Sequence, residues 1–213
     1  YRNRSFVSEE SYRHNIEHLV PDVTIESLAK PFCAVAADLC TGESVVFRRG
    51  SLRDAVCASG AVPGVMPAQE IGRRVLSDGA LVDKVPVRAL LDGSADVVVG
   101  VDVSTELSRI ERFDRGLDVI SRANQVTEWN LRHARKSICD VVLRPEVQDV
   151  NWMDFAGART AIARGREATE RALPRLEAAI KRARFRRLFR ISRVQRAARL
   201  YRDGWLGEPL EEG

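Results

Sequence analysis

No Gly-x-Ser-x-Gly occurs anywhere in the 213 residues, so the chain does not encode the sharp strand-to-helix turn that exposes a nucleophilic serine. No Cys-x-x-Cys joins its four cysteines, which sets aside the usual zinc and dithiol patterns. Cys33, Cys40, Cys57 and Cys139 are therefore expected to be small buried thiols in a reducing compartment. No apolar run approaches the roughly 20 residues needed to cross a bilayer. Histidine is scarce, and His14, His18 and His133 fall on helix-like stretches where a surface position is expected. There is no internal repeat and no low-complexity linker. The chain starts at Tyr1 without an initiator methionine or a charged-then-apolar leader, and is read as a piece of a longer precursor, which leaves targeting open.

What is present suits a globular domain. Hydrophobic residues make up 45% and charged residues 30%, enough apolar material for a buried core and too much for a disordered chain. The net charge of +4 is concentrated at one end. Residues 181–213 carry ten basic and four acidic side chains, and the remainder is slightly acidic. The expected division is 1–180 as the domain and 181–213 as a basic helical tail.

Along the chain, residues 1–30 are helical in character up to Pro21. Phe32 to Asp38 and Ser44 to Arg48 read as two strands across a turn at Thr41-Gly42-Glu43, a hairpin. Ser51 is a plausible N-cap for a short helix from Leu52 to Cys57. Arg73 to Leu76 form the next strand, ended by Asp78-Gly79. Pro86 suits the first turn of a helix from Val87 to Leu91, closed by Gly93. Ala95 to Val103 is so rich in β-branched residues that it predicts a strand covered on both faces of a parallel sheet. A helix over 114–137, a strand over Asp140–Leu143 and a final helix follow. That final helix carries Ile162, Leu173, Leu176 and Ile180, and Pro174 is expected to kink or divide it. The alternation predicts a layered α/β architecture.

The residue of greatest chemical interest is Asp78. Asp-Gly is first a turn signal, since glycine accepts positive φ. Here, however, the carboxylate ends an apolar strand, with Ala80-Leu81-Val82 and Val85-Pro86-Val87 behind it as apolar walls. A free carboxylate, with a reference pKa near ~3.9, is too weak to deprotonate a serine outright. It becomes an effective base when hydrogen-bonded to the hydroxyl, the proton moving as the nucleophile attacks. Asp38 is expected to anchor the hairpin through backbone N–H groups, and Asp102 to play a structural part at the end of its strand.

Several of these stretches together resemble the patatin-like phospholipases. They are Ala36-Ala37-Asp38-Leu39-x-Thr41-Gly42-Glu43, Ala58-Ser59-x-Ala61-x-Pro63-Gly64, Ser77-Asp78-Gly79-Ala80, Val85-Pro86-Val87 and the strand ending at Asp102. Phe155 through Ala161-Ile162 to Gly165 is similar to the closing helix of that family. The resemblance implies a three-layer α/β/α hydrolase with a mainly parallel central sheet, here incomplete at the N-terminus, plus a C-terminal basic helix. It also implies that Asp78 is the base of a Ser–Asp dyad and that Gly79 and Ala80 complete its motif. Ser59 is then a supporting residue whose hydroxyl holds backbone groups in the loop, and Ser77 lies on the opposite face of the strand. In that family the oxyanion loop and the nucleophile lie upstream of all these stretches, so no residue of this chain matches the nucleophile. No metal and no cofactor are implied.

The activity implied is hydrolysis of phospholipid, lysophospholipid or similar acyl esters. The N-terminal half of the same protein, or a partner chain, would supply the serine. The alternative is a catalytically inactive binding or scaffolding protein of the same fold at a membrane surface. From Ala178 to Arg202 there is no acidic residue, while basic side chains recur among Phe185, Leu188, Phe189, Ile191 and Val194. As a helix, Lys181–Arg202 would suit an anionic membrane surface. Nucleic acid is the less favoured partner, since no recognisable motif accompanies the arginines. The location expected is cytoplasmic, with peripheral attachment to membranes.

Overall fold

The computed structural model describes residues 5–90, 95–104, 106–107, 109–110, 112–134, 139–150 and 155–188. The chain divides into two units, Tyr1–Ala89 and Leu90–Gly213. The expected arm 189–202 and the helix end at 135–137 lie outside the described residues.

The first unit opens with α1 (Glu9–Leu19), capped by Ser8, whose hydroxyl accepts from the Ser11 N–H. This helix ends just before Pro21, which cannot continue it. β1 (Ala34–Asp38) and β2 (Ser44–Phe47) form the predicted hairpin, with Gly42 at φ 77° in its turn. α2 (Leu52–Ser59) begins at Ser51, whose hydroxyl accepts from the Asp54 N–H at 3.2 Å. It runs past the expected stop at Cys57 because Gly60 closes it, donating its N–H to Val56 O and Ala58 O. β3 (Gln69–Ile71) and β4 (Arg74–Asp78) follow as a second hairpin around Gly72, at φ 62°. β3 was not anticipated.

These strands make one sheet in the order β2-β1-β4-β3, antiparallel at every pairing. Two of its three pairings are closed by tight turns, and a tight turn can join only antiparallel neighbours. A mainly parallel sheet was expected; the α/β class stands, but parallel pairing among the described residues is confined to the second unit.

Alanines bring α2 close to the sheet. Ala58 packs with Ala36 and Leu76, and all three are buried to within 1%. Burying a side chain the size of Leu76 contributes roughly 1.5–3 kcal/mol. On another side of α2, Tyr12 of α1 packs with Cys57 and Ala61, flanked by Val7, Ile16 and Met66. Leu52 and Ala55 join Ile25 and Ala34 in a third cluster.

In the second unit, β5 (Val99–Val101) pairs in parallel with β6 (Val141–Leu143). The chain between them contains α3 (Gly116–Ala134), the long connection that a parallel pair requires. The strand predicted over Ala95–Val103 is shorter than expected and is not covered on both faces. Val98, Gly100 and Asp102 are buried, whereas Val99, Val101 and Val103 are 39%, 52% and 60% exposed. α4 (Ala158–Leu188) runs through Pro174 and through residue 180 without interruption. Ala172, Leu176 and Ala179 pack with Val141 and Leu143 on both sides of the proline, and tertiary packing of this kind overrides a local helix-breaking preference.

Candidate active site around Asp78

Asp78 is the last residue of β4, opposite Ala36 of β1, and it caps the 3-10 turn Gly79–Leu81. Its side chain is half-buried. Oδ1 accepts from the Ala80 N–H at 2.8 Å. Among the described residues no donor reaches Oδ2. One oxygen is therefore fixed to the backbone, and the other accepts no hydrogen bond among the described residues.

The glycine beside it has a different purpose from the one its dipeptide suggests. Gly79 does not adopt positive φ, unlike Gly42, Gly50, Gly64 and Gly72. A Cβ at this position would lie 2.2 Å from the carbonyl oxygen of Val35 and 2.8 Å from its carbonyl carbon. Position 79 is glycine because the backbone of β1 passes too close for any side chain. Ala80 contributes its N–H to the carboxylate, so it acts on Asp78 through the main chain.

The backbone of Asp78 is held from the other direction by the loop after α2. The Asp78 N–H donates to Ala61 O at 3.0 Å, and Ser77 Oγ donates to the same carbonyl at 2.6 Å. Ala61 is fully buried and Ser77 is 1% exposed. Ser77 is thus committed to a structural bond. Ser59 is the final residue of α2, half-buried, and not a loop residue as expected. The backbone contacts expected of its hydroxyl are not formed among the described residues.

Tyr12 was missed from the sequence and stands close to this arrangement. Its hydroxyl donates to Cys57 O at 2.9 Å, and a Cβ on Gly60 would come within 3.0 Å of the phenol oxygen. Burial, with the nearby Cys57 and Asp78 charges, pushes the phenol up to about 12 from 10.0. The signal available in the sequence was one aromatic residue in a polar helix, too weak to single out.

The other carboxylates have local tasks. Asp38, 3% exposed, accepts from the Cys40 N–H at 2.9 Å and faces Arg74 at 3.9 Å, so it holds the hairpin turn. Asp102, 6% exposed, accepts from the Ser104 N–H and faces Arg144 Nε at 3.4 Å. His14 and His18 are exposed on α1, and the His133 side chain lies outside the described residues. Of the cysteines only Cys57 is buried; Cys33 and Cys139 are half-buried and Cys40 is exposed, against the expectation of four buried thiols. Among the described residues no three His, Cys, Asp or Glu side chains come together as a metal site. No described helix is long and apolar enough to cross a membrane.

Residues 1–91 match the family model for patatin-like phospholipases, so the resemblance read from the motifs holds over that stretch. An uncharacterized NTE family protein of Mycobacterium bovis is 39% identical over 89 residues, covering 42% of this chain and 25% of the relative. A protein of the same description from Mycobacterium tuberculosis gives the same values. A further NTE family protein of Mycobacterium bovis is 37% identical over 79 residues, covering 37% of this chain and 14% of the relative. The match thus spans about a quarter, or less, of the length of these curated relatives.

Proposed function

We propose that this chain supplies Asp78 as the base of a Ser–Asp dyad in a patatin-like lipid acyl hydrolase. The serine and the oxyanion donors come from residues that precede Tyr1 or from another chain. A three-layer α/β/α domain with a mainly parallel sheet is then completed by that segment. The observation that carries this reading is the state of the Asp78 carboxylate, with Oδ1 on the Ala80 N–H and Oδ2 without a donor among the described residues, inside the stretch that matches the family.

The serine hydroxyl donates to Oδ2. As its oxygen attacks the ester carbonyl, the proton passes to Asp78 and the carbonyl electrons move onto oxygen. N–H donors meet that oxyanion, typically contributing about 2.7–4 kcal/mol each. Collapse expels the alcohol, which takes the proton from Asp78 and leaves an acyl-serine. Water, deprotonated by the same carboxylate, then releases the fatty acid. The scheme uses no metal and no organic cofactor.

The substrates are phospholipids, lysophospholipids or related acyl esters, and an anionic membrane surface is where the enzyme meets them. The exposed Lys181, Arg182 and Arg184, with Phe185 62% exposed, begin a cationic segment at the end of α4 suited to such a surface. The rival reading, a scaffold of the same fold without catalysis, draws on the missing Gly-x-Ser-x-Gly.

Hydrolysis of short p-nitrophenyl esters by the complete polypeptide separates them. Asp78→Asn keeps an acceptor for the Ala80 N–H but removes the base, and should lower kcat by about 10²–10⁴-fold. An unchanged rate would overturn the proposal, and no hydrolysis by the complete wild-type protein would favour the scaffold.

A further inference from the structure

We infer that Ser77 is a positioning residue for Asp78, acting through the carbonyl of Ala61, with the Tyr12 hydroxyl anchoring the end of α2 that leads into that loop. This rests on the dyad reading of Asp78.

A strand end is a poor place to fix a catalytic group, because the last residue of a ladder is free to fray. Asp78 has a ladder partner on β1 in Ala36, and the chain leaves the sheet immediately afterwards into the turn Gly79–Leu81. Its amide is captured instead by Ala61 O, at 3.0 Å. A carbonyl has two lone pairs, and the second is taken by Ser77 Oγ at 2.6 Å. Two consecutive residues of β4 thus grip one fully buried oxygen, one through the main chain and one through the side chain. The hydroxyl fixes the direction of that carbonyl, and the carbonyl fixes the amide of Asp78.

The loop that presents Ala61 would be a weak reference point if it could move. The last turn of α2, which leads into it, is pinned where Tyr12 Oη donates to Cys57 O at 2.9 Å. It is packed there as well, since the phenol oxygen would lie 3.0 Å from a Cβ on Gly60. Tyr12, Cys57 and Ala61 form one buried cluster. The raised phenol keeps its proton, and hence its donor role, throughout the neutral range. Asp78 is therefore referenced to α1 and α2 as well as to the sheet. Neither hydroxyl touches a reacting atom in the proposed scheme.

The test measures kcat and KM of the complete polypeptide on a short p-nitrophenyl ester, with active sites counted by fluorophosphonate titration. The panel is wild type, Ser77→Ala, Ser77→Thr, Tyr12→Phe and Asp78→Asn. A displaced carboxylate should lower kcat per titrated site for Ser77→Ala by about 10–100-fold with KM unchanged, since misplacement of about 1 Å costs on the order of 10²-fold. Ser77→Thr, which restores the hydroxyl, should recover most of that loss, and Tyr12→Phe should show a smaller fall of the same kind. A merely structural serine would reduce the number of titrated sites and leave kcat per site intact, and that result overturns the inference. If Ser77→Ala does not fold, Tyr12→Phe decides, a kcat per site within twofold of wild type overturning the inference. Ser77→Ala at full kcat beside an inactive Asp78→Asn would remove Ser77 and spare the dyad. Asp78→Asn at full activity would remove both.

Discussion

Replacing Gly79 by alanine tests the structural core of the site without touching a reactive group. In this conformation, without positive φ, the substitution would ordinarily stabilise a protein by about 0.4–1 kcal/mol by restricting the unfolded chain. The structure demands the opposite sign. The new Cβ would sit 2.2 Å from Val35 O, closer than the 3.0 Å that real Cβ atoms essentially never breach, with a rigidly attached atom on one side and a main-chain atom on the other. Neither can swing aside as a side-chain tip would, so β1 and the turn after β4 must part. Overpacking of this kind costs about 1–3 kcal/mol. In a domain of roughly 150–250 residues or more, each kcal/mol corresponds to about 2–4 °C in melting temperature or less. Because Asp78 lies next to the forced movement, ester hydrolysis should fall by on the order of 10²-fold as well. Gly72→Ala is the control: position 72 has φ 62° and nothing within 4 Å, so it should lose about 1–2 kcal/mol through left-handed strain and keep its activity. The assay is thermal melting of the complete polypeptide beside its hydrolysis rate. Gly79→Ala melting at or above the wild-type temperature would refute the reasoning.

Tyr12 predicts an alkaline loss of stability. Its phenol is raised to about 12 in the folded protein from 10.0, so the stabilisation is complete below pH ~10 and disappears as pH climbs through 12. Wild type should lose roughly 2–3 kcal/mol more than Tyr12→Phe across that window in urea melts, and parallel curves would contradict it. Cys40 is exposed, whereas Cys57 is 1% exposed with its thiol pushed up by burial. Iodoacetamide should therefore label Cys40 early and Cys57 only on unfolding, with equal rates counting against the structure. The complete polypeptide should bind anionic vesicles more tightly than neutral ones and release them as salt rises; salt-independent binding would argue against the charged segment as the contact.

Much of the first unit was legible because its signals are local. Ser51 caps α2 as its residue type suggested, Gly42 sits at the hairpin turn, and Asp78 ends its strand. What escaped depends on contacts distant in sequence. Gln69–Ile71 carries no alternating pattern of its own and becomes a strand only by pairing with Arg74–Leu76. Gly79 reads as a turn glycine until Val35, more than forty residues earlier, is brought against it. The same holds for Tyr12 and Cys57. In the second unit, a β-branched run suggested a strand buried on both faces, but such a run records only β preference; which face is covered is set by neighbours. Pro174 does not divide α4, because a proline's local cost says nothing of the alanines that hold this helix against β6.

The central claim is that Asp78 activates a serine, and the rate of fluorophosphonate labelling of the complete polypeptide measures that activation without turnover. Wild type should acquire one covalent adduct, located by peptide mass spectrometry on a serine that precedes Tyr1 or on a partner chain. Asp78→Asn, melting at the wild-type temperature, should label about 10²-fold or more slowly. Equal labelling rates in the two proteins would contradict the assignment.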